Sequence, residues 1–130
     1  YRKQYGGGGL TPEHDTIIQE EFDRYRIPRF GSELIIAMLF VWGTEEQKQK
    51  FLVPLLKAEK TSWQKFTEPH SGSDLASYES KAVRDGDDWV LNGSNVFISG
   101  RGTPDYLWGP MLTDPNAPRH RNLAVAPAAH

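Results

Sequence analysis

The middle of the chain carries the stretch FTEPHSGSDLAS at residues 66–77. This stretch lacks the hydrophobic periodicity that is typical of a helix or a strand. Short hydroxyl and carboxylate side chains bond readily to nearby backbone N–H groups, so the composition predicts a tightly hydrogen-bonded loop. Gly72 is expected to widen the backbone angles available there and to let a ligand approach closely. An ordinary turn before a strand is the alternative interpretation.

The composition bounds the class of protein before other motifs are considered. The chain has 130 residues and a net charge of −2, and no basic stripe indicates a nucleic-acid partner. It contains no cysteine, which excludes a disulfide framework and thiolate chemistry. The longest apolar run, residues 34–42, has about half the length of a membrane-spanning helix, so no membrane span is expected. The histidines show no metal-ligand spacing, and no metal site is expected.

The first sixty residues are dominated by helical signals. The glycine run at residues 6–9 lacks a phosphate-loop context and predicts a flexible turn. Pro12 suits the first position of a helix, and apolar residues at helical spacing extend that helix to about Arg26. Pro28 should end it, with Gly31 in the following turn.

Two further helices are predicted before residue 60. The helix predicted over residues 32–42, which Ser32 and Glu33 open, is apolar on nearly every side, which indicates burial in a core or against a partner. The sequence TEEQ at residues 44–47 matches a capping box and opens the next helix. Pro54 falls inside that helix and should kink or shorten it.

After residue 60, short apolar runs alternate with turn signals. They predict strands near residues 62–66, 79–84, 89–92, 94–99 and 106–112. DGDD at residues 85–88 and the Asn92-Gly93 pair predict hairpin turns. The alanine-rich tail, residues 122–130, looks too weak to complete a sheet. The pattern therefore predicts an α+β class, with a helical N-terminal half followed by an antiparallel β-domain, or parts of two domains.

Residues 67–77 resemble the first signature of the acyl-CoA dehydrogenase family of flavoproteins. That signature has Ser or Thr, Glu, two variable residues, a small residue, Gly, Ser or Thr, and Asp, with a small residue three places later. Residues 43–56, 85–100 and 113–121 resemble the flanking segments of the family in the right order. The resemblance implies an incomplete acyl-CoA dehydrogenase-like fold. Residues 1–60 would be part of the helical N-terminal domain and residues 61–130 part of the middle β-barrel domain.

The resemblance also implies an activity, the α,β-dehydrogenation of an acyl-CoA thioester in fatty acid metabolism. A carboxylate base removes the α-proton, and the β-hydrogen leaves as hydride to FAD. The family's catalytic glutamate lies in or beside a C-terminal helical bundle that has no counterpart here. We therefore expect no catalytic residue in this chain, and no activity from it alone. The alternative is an inactive remnant that serves as an acyl-CoA-binding or oligomerisation module.

The resemblance assigns site residues position by position. The flavin contacts it implies are Gln64, Phe66, Thr67, Gly72, Ser73, Phe97 and Ser99. The acyl-CoA contacts are Ser73, His120 and Arg121, in a loop that could equally be a solvated basic tip with Arg119. The alternative for Phe97 is plain strand core.

Two carboxylates and one lysine lie among these predicted contacts. Glu68 and Asp74 are expected to shape the turn through backbone donors rather than to act as an acid–base pair. Lys65 stands beside the flavin positions, where relatives carry a small or apolar residue.

The resemblance finally implies partners and a location. An acyl-CoA substrate, an electron-accepting flavoprotein and a homo-oligomer in the complete protein are expected. The expected location is the cytoplasm, or the mitochondrial matrix in a eukaryote.

Overall fold

The computed structural model describes residues 2–27, 32–100 and 102–129. The backbone divides into two compact units, Tyr1–Ser62 and Trp63–His130. The first unit is helical and the second holds most of a β-sheet, which confirms the predicted α+β class. The turn predicted at Pro28 and Gly31 lies outside the described residues.

Two longer helices and a series of short ones build the first unit. They are a 3₁₀ turn (Lys3–Tyr5), α1 (Pro12–Arg24), α2 (Glu33–Trp42), α3 (Glu45–Gln47), a π-helical stretch (Lys48–Leu52) and α4 (Val53–Leu56). Among the described residues of this unit, the buried apolar side chains are Tyr5, Ile35, Ile36, Leu39, Leu52 and Leu55. The core therefore forms where α2 meets the last helical stretches and the N-terminal turn.

The helical stretch after residue 44 shows how local sequence sets its shape. The capping box is confirmed, since Gln47 N donates to Thr44 Oγ1 at 3.2 Å and Thr44 N donates to Gln47 Oε1 at 3.0 Å. Pro54 has no N–H to donate, and its ring crowds the carbonyl four residues earlier. The backbone widens before it, where Val53 N donates to Lys48 O in the π-helical pattern. The predicted kink thus takes the form of a widened turn.

Helix α2 buries only one of its faces within its own unit. Ile35, Ile36 and Leu39 are buried, whereas Val41 is 64% exposed and Trp42 is 81% exposed. The sequence predicted that this helix is buried on nearly every side. In the described residues, only the side with Ile35, Ile36 and Leu39 is buried.

Within the described residues, five strands form one sheet, which lies almost wholly in the second unit. They are β1 (Ser62–Gln64), β2 (Lys81–Asp85), β3 (Asp88–Asn92), β4 (Tyr106–Leu112) and β5 (Leu123–Ala129), in the order β1-β4-β2-β3 with β5 also on β4. The DGDD hairpin is confirmed, because Asp85 pairs with Asp88 and Gly86 takes a φ of +60°.

Two predictions about the sheet need correction. The sheet is mixed rather than antiparallel, since β2 runs parallel to β4 with Lys81 opposite Leu112. The tail does complete the sheet, because β5 pairs with β4 along its whole length. Backbone pairing to a long neighbouring strand outweighs the weak strand preference of alanine.

The strand predicted at residues 94–99 is absent, and with it the Asn92-Gly93 hairpin. A Cβ atom at Gly93 would lie 1.9 Å from Ser80 Oγ, so the backbone there runs close against another part of the unit. Phe97 takes a φ of +58°, which breaks the extended conformation. The segment from 93 to 100 is therefore irregular and must be held by contacts other than a strand ladder.

Candidate functional site

The loop after β1 is organised by one buried carboxylate. Glu68 is 3% exposed and accepts hydrogen bonds from Glu79 N and Ser80 N, both at 2.7 Å, and from Ser80 Oγ at 2.5 Å. Burial raises the pKa of Glu68, but these hydrogen bonds outweigh it and hold that pKa below its ordinary value of 4.5. The expected turn-shaping role of Glu68 matches these contacts.

The opposite end of the same loop is held by Asp74. Ser71 Oγ donates to Asp74 O at 2.8 Å, and Ser77 Oγ donates to Asp74 Oδ2 at 2.5 Å. Arg119 Nη2 also donates to Asp74 Oδ2 at 2.5 Å and to Ser77 Oγ at 3.2 Å. The Ser77 hydrogen bond has the largest effect and lowers the pKa of Asp74; burial opposes it, and the hydrogen bond and charge of Arg119 lower the pKa further. Both carboxylates of the loop therefore have structural partners.

Between these two anchors the loop presents Gly72 and Ser73, which are exposed. Gly72 does not take a left-handed φ, contrary to the freedom expected for it. A Cβ atom at Gly72 would lie 3.7 Å from Thr67 Cγ2, its nearest neighbour. What glycine provides here is an open face next to Thr67.

The other residues predicted to face a flavin lie at the end of β1, directly after it, and on the irregular segment. Gln64 is exposed, and Phe66 packs edge-on against Trp108 with ring centroids 5.2 Å apart. Thr67 O accepts Val96 N at 2.9 Å. This bond places the backbone of Phe97 beside that of Thr67, so these two predicted contacts are brought together.

Phe97 and Ser99 are exposed on the irregular segment. Phe97 is 87% exposed, so the alternative of strand core is wrong. Gly100 fixes the far end of the segment, since a Cβ atom there would lie 2.1 Å from the Trp63 ring. The aromatic ring and the hydroxyl are therefore presented at the surface between two fixed ends.

His120 and Arg121, predicted to face acyl-CoA, are exposed on the loop between β4 and β5. His120 takes a φ of +72°, and Arg121 N donates to Pro118 O at 2.9 Å, closing a turn. Arg119 links this turn to the loop of Ser73 through Asp74. The sequence named Arg119 only as part of a basic tip, and no spacing signal connects it to a carboxylate so far away in the chain.

Lys65 is buried inside the second unit, whereas the sequence predicted a position for it beside the flavin. Its side chain turns to the inside of the unit and is 7% exposed, away from the face of exposed Gln64. Lys65 Nζ donates to Pro110 O at 3.1 Å, to Met111 Sδ at 2.8 Å and to Tyr78 OH at 3.4 Å. Burial lowers the pKa of Lys65, and the charge of Glu68 opposes that effect. A buried ammonium group was not predictable from a strand pattern.

Two kinds of site are not found in the part of the chain that the structure describes. No group of three or more histidine, cysteine or acidic side chains is placed to hold a metal ion. No helix there is both long and apolar enough to cross a membrane.

Comparison with known proteins places this geometry in a family. A family model described as the N-terminal domain of acyl-CoA dehydrogenases matches residues 1–59. Acyl-CoA dehydrogenase FadE29 from Mycobacterium tuberculosis is 38% identical over 125 residues, which cover 95% of this chain and 32% of that protein. The chain belongs to the acyl-CoA dehydrogenase family. It spans about a third of the length of FadE29, and between 17% and 34% of the length of similar curated relatives.

Two solved structures agree with the fold. The structure described as the Tcur3481-Tcur3483 steroid ACAD is similar with a TM-score of 0.88 and 37% identity, covering 99% of this chain and 34% of that chain. The ChsE4-ChsE5 complex from Mycobacterium tuberculosis is similar with a TM-score of 0.85 and 30% identity, over 99% and 34% of the two chains. Nearly the whole chain therefore aligns with about a third of each of these chains.

Proposed function

We propose that this chain supplies the flavin-facing part of an FAD-dependent acyl-CoA dehydrogenase, with residues 1–60 in its helical N-terminal domain and residues 61–130 in its middle β-domain. The observation that carries the proposal is the bond from Val96 N to Thr67 O, which sets the Phe97 segment beside Thr67. The exposed Phe97 and Ser99 then lie on the segment beside Thr67, and the open face of Gly72 adjoins Thr67.

These residues fit a flavin by their chemistry. The exposed ring of Phe97 can cover an apolar ring system, and the hydroxyls of Thr67 and Ser99 can bond the polar edge of the cofactor. The open backbone at Gly72 and the hydroxyl of Ser73 suit a pyrophosphate group. FAD, when bound, supplies the redox chemistry by accepting a hydride.

The proposed reaction is the oxidation of the Cα–Cβ single bond of an acyl-CoA thioester to a double bond. The α-proton goes to a carboxylate base supplied from outside these 130 residues, and the β-hydrogen leaves with its electron pair to the cofactor. The chain's own residues would orient the ring and the thioester, because alignment supplies much of the rate acceleration. Ser73, His120 and Arg121 are proposed to contact the CoA ester, in a turn that Arg119 ties to the Ser73 loop.

The decisive test uses protein expressed from its complete reading frame. We expect purified protein to carry FAD, or to take it up, and an acyl-CoA ester to bleach its visible absorption under anaerobic conditions. Thr67→Val and Ser99→Ala should weaken FAD binding, whereas Ser94→Ala, at an exposed position beyond β3, is the matched control. Protein that stays colourless after FAD is added, and is bleached by no acyl-CoA, would refute the proposal.

The substrate panel and the assembly follow from the relatives. Because one similar structure is described as a steroid ACAD, the panel should include a CoA ester with a bulky polycyclic acyl group beside short straight-chain esters. A homo-oligomer in the cytoplasm, with an electron-transferring flavoprotein as acceptor, is the proposed form. Mass measurement of the purified assembly would also reveal a second, related subunit, which the similarity to the ChsE4-ChsE5 complex makes worth seeking.

The second candidate function is an inactive module for oligomerisation or acyl-CoA binding. It is favoured by the apolar side chains that α2 leaves exposed within its own unit, Leu34, Val41 and Trp42. Sedimentation of this chain at increasing concentration tests the oligomerisation part, and titration with acyl-CoA tests the binding part. A compact monomer without affinity for acyl-CoA would exclude it.

A further inference from the structure

One tyrosine hydroxyl in the second unit lies at the centre of a buried polar cluster. Tyr78 is 3% exposed, and its OH donates to Lys65 O at 3.2 Å. The same oxygen accepts Asn95 Nδ2 at 2.7 Å and Lys65 Nζ at 3.4 Å. A phenol has one hydrogen to donate and can accept through its lone pairs. The hydroxyl of Tyr78 is therefore fully used by Lys65 and Asn95.

The lysine of this cluster is satisfied in its charged form. An ammonium group has three hydrogens and no acceptor, and Lys65 Nζ has three acceptors in Tyr78 OH, Pro110 O and Met111 Sδ. Each hydrogen of the ammonium group therefore has an acceptor. The partners of Lys65 are thus complementary to a buried cation.

The asparagine connects the cluster to the candidate site. Asn95 Nδ2 uses both of its hydrogens, one to Tyr78 OH and one to Thr67 O at 3.1 Å. Thr67 O also accepts Val96 N at 2.9 Å. Two successive residues of the irregular segment, Asn95 and Val96, therefore donate hydrogen bonds to the same carbonyl oxygen, that of Thr67.

We propose that Lys65, Tyr78 and Asn95 are positioning residues that fix the segment carrying Phe97 and Ser99 against Thr67. The reason is the absence of any other regular support: residues 93–100 form no strand, and Phe97 is 87% exposed with a φ of +58°. A segment without a ladder keeps one conformation only where fixed contacts hold it. A fully satisfied buried network provides such contacts, since every broken bond leaves a buried group unpaired.

The inference rests on the proposed flavoprotein function for its consequence, the orientation of a cofactor. Its structural part, the attachment of residues 95–99 to Thr67, is independent of any ligand. The two parts need separate measurements, so that failure of one is distinguishable from failure of the other.

The test replaces Tyr78 by phenylalanine in protein expressed from its complete reading frame. Tyr5→Phe is the matched control, because it also removes one buried hydroxyl, one that donates to Glu45 Oε2 at 2.9 Å in the helical unit. Asn95→Leu is the second variant, of similar size and without donors, in case Tyr78→Phe fails to fold.

The first readout is amide hydrogen exchange. We expect the Val96 amide to exchange about tenfold faster or more in Tyr78→Phe and Asn95→Leu, because its acceptor is no longer held in place. The Leu112 amide, which donates to Ser80 O at 2.8 Å in the same unit, should be unchanged. Unchanged exchange at Val96 in both variants, or an equal loss at Leu112, would overturn the inference.

The second readout is the bound flavin. Tyr78→Phe should shift the visible band and the midpoint potential of the flavin and weaken FAD binding severalfold, whereas Tyr5→Phe should change none of these. Wild-type protein that takes up no FAD, together with faster Val96 exchange in the variants, would refute the proposed function and leave the attachment to Thr67 supported. Bound FAD whose visible band and midpoint potential are unchanged in Tyr78→Phe and in Asn95→Leu would refute the positioning role and leave the proposed function standing.

Discussion

Arg119 Nη2 lies 2.5 Å from Oδ2 of Asp74, although the two residues are 45 positions apart. The ion pair joins the turn of His120 and Arg121 to the loop of Ser73. It lies at the surface, where such a pair adds little to stability but can fix the relative position of two loops. Its expected effect is therefore on ligand binding.

Replacement of Arg119 by alanine should raise the KM for an acyl-CoA ester about threefold to tenfold and leave kcat nearly unchanged, because the turn that faces the ester is no longer held. Added salt should raise the wild-type KM toward that of the variant, since salt screens exposed charges. Arg84→Ala, on the exposed β2–β3 hairpin, is the control. Steady-state kinetics with the complete protein provides the measurement, and an equal rise in KM for both variants would contradict this role.

Glu68→Gln should lower the free energy of unfolding by about 2 kcal/mol or more, because a side-chain NH₂ group would replace one of the two oxygens that accept the donors of Glu79 and Ser80. Urea denaturation near neutral pH measures it. Glu79→Gln is the control, since that side chain is 72% exposed.

The effect of Glu68→Gln should also depend on pH. The pKa of Glu68 is lowered from 4.5 in the folded state, so its stabilising contribution is present above 4.5 and is lost as pH falls through the folded value. The difference in stability between wild type and Glu68→Gln should therefore shrink in acid. A difference that is the same at neutral and acid pH would show that the charge is not what stabilises the loop.

Lys65 should make the stability of the second unit rise with pH in the mildly alkaline range. Burial lowers the pKa of Lys65 from 10.5, so the unfolded chain binds more protons than the folded one between the lowered value and 10.5. Tyr78 faces this lysine, and burial raises its pKa above 10.0, so loss of its proton opposes the trend at higher pH. The rise is therefore expected below pH 10.0.

Denaturation curves from neutral pH upward measure this rise, and Lys65→Met should abolish it. Lys81→Met, at an exposed position of β2, should keep it. A wild-type curve without a rise, or one that persists in Lys65→Met, would contradict the assignment of the effect to Lys65.

Gly100→Ala should lower the free energy of unfolding by about 1–3 kcal/mol, because the added methyl group would overlap the Trp63 ring. Gly72→Ala should change it little, since the nearest atom to its new Cβ would be Thr67 Cγ2 at 3.7 Å. Denaturation separates the two variants, and FAD titration should show weaker binding for both. Equal stability of both variants would show that Gly100 is not packed against Trp63.

Much of the architecture could be predicted from the sequence, because it rests on local rules. Pro12 begins α1, the TEEQ sequence caps α3, and Gly86 forms the tight turn between β2 and β3, as predicted. The signature at residues 67–77 indicated the family, since its small and acidic residues form hydrogen bonds within a short stretch of chain. Glu68 accepts backbone N–H groups as predicted. Asp74 accepts chiefly from the side chains of Ser77 and Arg119 instead.

The tertiary structure decided what depends on partners distant in sequence. The alanine-rich tail becomes β5 because β4 pairs with it, while residues 94–99 form no strand although their pattern favours one. The burial of Lys65 and the link between Arg119 and Asp74 depend on where separate segments meet in space. Local preferences are small compared with the cost of leaving buried polar groups unpaired, so these long-range contacts, and not the local pattern, set the shape of the candidate site.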